Sequence, residues 1–209
     1  MGLLGFRASS INPLALLEEN SSFSNPLKLN FFSNDNNKIC DLKLDKFNTN
    51  KAKYTTLKRS ALVEFLKTDL FFENIKFEKE IKKVSKIKNK LLINFSDNTN
   101  DLVDYIIVSD GVFSNTKSVI ENKNIQPVYN GSIAIRTIIK NTQDFLFDKE
   151  NISLIMLKNA HIVIYPINKK SELNLVCIIR QKLTNKIDIN LLIEKEILSQ
   201  NKNLKNLFK

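Results

Sequence analysis

One short run limits the fold most: Val103-Asp104-Tyr105-Ile106-Ile107-Val108, almost unbroken apolar chain. It is too short for a buried helix and rich in β-branched residues, so it reads as a strand over Val103–Ser109 covered on both faces. Ser109-Asp110-Gly111 closes it, and a helix is expected from Ser114 to Ile120. Strand, glycine turn, helix is the arrangement in which α/β proteins place ligands. The run therefore sets both a fold class, α/β, and a first place to look for a site.

The flanking chain divides into two parts. Upstream, Ile11–Glu19 has helical spacing, with Asn12-Pro13 as cap and first turn. Leu27–Phe32 and Ile39–Leu44 read as strands joined by the polar turn Ser33–Asn37. Arg59–Lys67 groups Leu62, Phe65 and Leu66 on one face of a short helix. Glu80–Ile87 and Lys90–Phe95 are two further strands, with turns at Lys88-Asn89 and at Asp97–Asn100. Beyond the polar stretch Glu121–Gln126, four strands are expected: Gly131–Ile139, Ile152–Lys158, His161–Ile167 and Leu173–Arg180. Their spacing, with Asn168-Lys169-Lys170 as a turn, predicts an antiparallel sheet, and Asp188–Gln200 predicts a closing helix.

Composition narrows function chiefly by exclusion. Two cysteines, Cys40 and Cys177, and one histidine, His161, supply neither a disulfide framework nor a multi-histidine or four-thiolate metal site, so no metal is expected. The formal charge is +10 over 209 residues, which raises the question of nucleic acid. Only Arg7, Arg59, Arg136 and Arg180 are arginines, however. Phosphate readers favour the planar guanidinium fork, so the lysine excess reads as compositional drift and argues against a nucleic-acid partner. No stretch approaches the roughly 20 apolar residues of a membrane span, and the first ten residues lack a signal-peptide core. A cytoplasmic location is the expectation.

Four segments carry a resemblance. Asp104 through Lys117 (DYIIVSDGVFSNTK) resembles an apolar strand leading into an A-D-G-x-x-S-x-x-R segment. Leu57-Lys58-Arg59-Ser60-Ala61-Leu62 is similar to an H-R-x-x-L helix start, with Lys58 in the histidine's place. Tyr129-Asn130-Gly131-Ser132-Ile133-Ala134-Ile135-Arg136 resembles a Y-x-G-x-x-A-x-R strand. His161-Ile162-Val163-Ile164-Tyr165-Pro166, followed by Leu173-Asn174-Leu175-Val176, resembles an H-x-x-x-Y-P hairpin ending in L-N-L-V. In this order and at these spacings they resemble the FAD-dependent aromatic hydroxylases, a group that includes salicylate-type and ubiquinone-pathway enzymes.

The resemblance implies an α/β (α+β) architecture: a partial FAD-binding domain over residues 1–122 and an antiparallel substrate domain over residues 123–209. It implies FAD as cofactor, NAD(P)H as co-substrate, and transfer of one oxygen atom from O2 to an electron-rich aromatic or quinone-precursor ring. Arg59, Asp110 and Gly111 are the implied cofactor contacts. Arg136 is the implied contact to an acidic or phenolic small-molecule substrate, and no catalytic residue is singled out. Local readings remain beside these: an Asx turn for Asp110-Gly111, a solvent-facing helix start for Arg59, an edge-strand solvent residue for Arg136. Lys117 stands where the segment usually has arginine, so a point charge replaces a bidentate contact to NAD(P)H. His161 reads as a strand residue and Tyr165-Pro166 as shaping a hairpin.

Two family segments have no counterpart. The glycines are Gly2, Gly5, Gly111 and Gly131, so no G-x-G-x-x-G unit exists, and no G-D-A-A-H segment follows. The expectation is a chain truncated at both ends. It is a fragment of a monooxygenase, with a half that depends on a partner chain for the missing FAD motifs, a non-catalytic remnant and, behind these, a lysine-rich nucleic-acid-binding module as the alternatives.

Overall fold

The computed structural model describes residues 23–47, 53–67, 70, 74–140, 146–169, 172–182, 184 and 187–208. The expected helix at Ile11–Glu19 and the turn residue Lys170 lie outside them. The described chain forms two compact units: residues up to 67 together with those from 129 onward, and residues 70–128.

In the larger unit the strands are β1 (Phe23–Ser24), β2 (Lys28–Phe32), β3 (Lys38–Lys43), β4 (Thr56–Leu57), β8 (Ser132–Ile139), β9 (Ile152–Met156), β10 (Ala160–Pro166) and β11 (Leu173–Arg180). Six of them make one sheet in the order β3-β2-β9-β10-β11-β8, antiparallel except where β2 runs parallel to β9. The expected four-strand sheet is present, and the β2–β3 hairpin extends it. Asn151 makes that junction: its Oδ1 accepts from the backbone N–H groups of Leu27 and Lys28 at 2.9 and 2.8 Å. The hairpin turns at Asn36, whose φ of 67° is left-handed backbone that asparagine tolerates.

Strict alternation along β10 and β11 divides the sheet into two faces. Ala160, Ile162, Ile164 and Pro166 alternate with outward residues, as do Leu173, Leu175, Cys177 and Ile179. These buried side chains join Ile155 and Phe147 against Leu192, Ile193, Ile197, Leu204 and Leu207. Each such aliphatic burial stabilises the fold by about 1.5–3 kcal/mol. The covering helix starts at Asp188, whose carboxylate accepts from Leu191 N–H at 3.1 Å, and runs Ile189–Ile193 before a π turn over Glu194–Leu198. A 3-10 segment, Lys202–Phe208, completes this layer. The buried Glu196 carboxylate accepts from Asn159 Nδ2 at 3.0 Å, and that bond, with Lys195, holds its pKa below the usual value.

The smaller unit is a meander of β5 (Ile81–Ile87), β6 (Lys90–Phe95) and β7 (Asn100–Val103), plus the helix Asn115–Glu121. Among its described residues Ile93 is the one buried hydrophobic side chain. One expectation fails here. The strand predicted over Val103–Ser109 ends at Val103; residues 104–109 form no ladder, and Tyr105 and Ile107 are 68% and 58% exposed. A strand covered on both faces needs neighbours on both edges. Among the described residues no strand pairs with this segment, so the apolar pattern stands without the structure it encodes.

Candidate functional site

The uncovered face of the six-stranded sheet carries the side chains that alternate out of the core. Register places Arg136 opposite Val176 and Val176 opposite Val163. The next row holds Ile138, Asn174 and Tyr165; the row on the other side holds Ala134, Ile178 and His161.

A short helix lies at one end of this face. Helix α1 (Arg59–Lys67) begins and ends where the sequence predicts, although none of its residues is buried. Its start is fixed from several directions. β1 and β4 pair Phe23 with Leu57 and Ser24 with Thr56. The Thr56 hydroxyl donates to the carbonyl of Pro166, at the end of β10, at 2.5 Å. Lys58 Nζ meets Glu172 Oε2 at 2.5 Å, which holds the Glu172 carboxyl below its ordinary pKa. A cavity of 480 Å³ results, lined by Arg59, Leu62, Arg136, Ile138, Tyr165 and Asn174 among others. Two of the predicted residues, Arg59 and Arg136, therefore share one cavity. Among the described residues neither has a carboxylate partner. Arg136 lies on β8, an edge strand of the sheet, and lines this cavity.

Asp110 and Gly111 belong to the smaller unit. Gly111 has φ +88°, and an added Cβ would meet nothing within 4 Å, so glycine is required for the backbone turn and not for space. Ser114 N–H donates to the Gly111 carbonyl at 3.2 Å, and Ser114 Oγ caps the helix through Lys117 N–H at 3.1 Å. The Ser114 hydroxyl, with that of Thr116, holds the Asp110 carboxyl below its ordinary pKa. Its Oδ1 is nevertheless buried without a hydrogen-bond partner. An acceptor so placed keeps an unfilled hydrogen-bonding capacity. The turn opens onto a 640 Å³ cavity lined by Ile106, Val108, Ser109, Ser114 and Lys117. An ionised acceptor, an open glycine turn and a lysine fit the hydroxyls and phosphates of a dinucleotide.

Sequence reasoning missed Tyr165 and Asn174 as cavity residues. The signal was present: Asn174 is the polar residue inside the apolar run Leu173–Ile179, and an out-facing position opposite Tyr165 follows from the hairpin register. No group of metal-binding side chains occurs among the described residues, and none of their helices is long and apolar enough to cross a membrane.

Scans of protein-family models and of curated proteins find no match. Solved structures do. A point variant of HpxO from Klebsiella pneumoniae, complexed with FAD, superposes with a TM-score of 0.70 at 12% identity, over 88% of this chain and 50% of that one. A salicylate hydroxylase substrate complex gives 0.68 at 12%, over 94% and 56%. The 2,6-dihydroxypyridine-3-hydroxylase of Arthrobacter nicotinovorans gives 0.62 at 16%, over 86% and 46%. The fold is that of the flavin-dependent hydroxylases. The chain spans about half the length of these structures.

Proposed function

We propose that the chain is part of an FAD-dependent monooxygenase that hydroxylates an aromatic or quinone-precursor compound, with NAD(P)H as reductant, in the cytoplasm. Convergence of Arg59 and Arg136 with Tyr165 on one carboxylate-free cavity of a hydroxylase-type sheet carries this reading. Bound FAD supplies the redox and oxygen chemistry; the chain's own residues bind, orient and exclude water. Arg59 would donate charge-assisted hydrogen bonds to phosphate oxygens. Asp110 would accept from sugar or ribityl hydroxyls through its orphan Oδ1, and Gly111 keeps the turn in its left-handed conformation. Lys117 offers NAD(P)H a point charge. Arg136 would hold a phenolate or carboxylate, and the Val163–Val176 floor keeps the ring out of water.

A second reading, a half that depends on a partner chain, draws on the uncovered apolar segment of residues 104–113, where Phe113 is 80% exposed. FAD titration followed by flavin fluorescence tests both, on the chain alone and with an added glycine-rich dinucleotide-binding chain. Uptake by the chain alone, weakened about tenfold in Arg59→Ala and in Asp110→Ala, is the expected result. Uptake only with the second chain selects the partner-dependent half; no uptake in either case overturns both.

A further inference from the structure

A second cavity lies on the same sheet face, beyond the Val163–Val176 row. It measures 540 Å³, and its lining includes Phe31, Met156, His161, Ile178 and Arg180, with Ser132 on β8 opposite Arg180. Neither cavity has an aspartate or glutamate in its lining. Arginine is scarce in this lysine-rich chain, yet all three arginines among the described residues, Arg59, Arg136 and Arg180, line these two cavities. None of the three has a carboxylate partner there. Drift in composition would scatter arginines; their convergence on two cavities whose linings hold no acid calls for an anionic ligand, for which a guanidinium fork suits better than an ammonium.

The spacing gives the ligand its shape. Ser132, beside Arg180, and Arg136 both face this side of β8, four residues and thus about 13 Å apart along the strand. Between the two cationic ends the floor is Ala134, Ile178, Val176 and Val163, small or apolar throughout. We infer that the face binds an elongated amphipathic acid: an aromatic ring with its phenolic or acidic group at Arg136, an apolar chain across the valines, and a distant carboxylate at Arg180. This rests on the hydroxylase reading only for the ring's chemistry; the Arg180 subsite stands on geometry and charge alone.

Calorimetric titration of the full chain tests it with three probes. One is a para-hydroxyphenyl alkanoic acid whose hydroxyl and carboxylate stand about 13 Å apart when extended. The others are the para-alkylphenol of equal length and para-cresol. The acid is expected to bind roughly three- to fivefold tighter than the alkylphenol, as for a solvent-exposed arginine–carboxylate pair. Arg180→Gln should abolish that advantage, Arg180→Lys should keep part of it, and Arg136→Gln should weaken all three probes. Equal affinities for acid and alkylphenol, an advantage that survives Arg180→Gln, or no binding of any probe overturns the inference. Flavin uptake is scored separately. An Arg180-dependent advantage without flavin binding, whether alone or with the added glycine-rich chain, leaves the groove standing and removes the hydroxylase reading; flavin binding without the advantage does the reverse.

Discussion

The two units hold their chains in different ways. The larger one buries one face of its central strands β9, β10 and β11 under a helical layer, with Ile155, Ile162, Leu173, Leu175, Cys177 and Ile179 at zero exposure. The smaller one encloses Ile93 and leaves Tyr105, Ile107, Val112 and Phe113 in solvent. It is held instead by ladder hydrogen bonds and side-chain pairs such as Lys76–Asp101 and Lys79–Asp97. Exposed pairs of this kind contribute about 1 kcal/mol or less each. Rigidity, and with it the ability to hold side chains at fixed separations, resides in the sheet that carries Arg59's cavity. The Asp110 turn sits on the softer unit, where local opening is easiest.

Thiol chemistry should show the contrast most sharply. Burial in the core pushes the Cys177 pKa from 9.0 up to about 12, whereas Cys40 is exposed. Disulfide-exchange reagents should modify one thiol per native chain, with Cys177 slowed at least about a thousandfold until denaturant is added. Two fast thiols would mean the sheet core is open. Leu175→Ala should next cost about 2–5 kcal/mol in urea unfolding; a loss under about 1 kcal/mol would erase the distinction between the units.

The Lys58–Glu172 pair gives a smaller, pH-dependent effect. Because the folded pKa of Glu172 lies below its ordinary 4.5, the stabilisation is complete above that value and disappears as pH falls through the folded value. Glu172→Gln should be less stable than the parent by about 1 kcal/mol at neutral pH, and the gap should close in acid. A gap that widens on acidification contradicts the pairing. Smallest of all, Ile107→Asn should change stability by no more than about 0.5 kcal/mol. A cost of about 3 kcal/mol would show that the segment is covered in solution, as its sequence implies.

Much of the fold was legible because its signals are local. The helix Arg59–Lys67 and the strands Lys90–Phe95 and Leu173–Arg180 fall where apolar spacing puts them. The parallel contact of β2 with β9 was not, since it depends on Asn151 reaching backbone more than a hundred residues away. The run after Val103 misled for a physical reason: periodicity reports what a segment can bury, while strand formation also needs a neighbour. Arg59 and Arg136 were legible as candidates through resemblance. Their shared cavity follows from the Thr56 and Lys58 contacts that fix the start of α1, and the place of Arg180 on the same face from the β8–β11 register.

The most direct test is hydrogen exchange by mass spectrometry with and without FAD. Slower exchange on FAD addition in residues 57–60 and again in residues 109–117, with residues 162–164 slow and unchanged throughout, is the expected pattern. No slowing in either of the first two segments at saturating FAD would contradict the assignment of Arg59 and the Asp110 turn as flavin contacts.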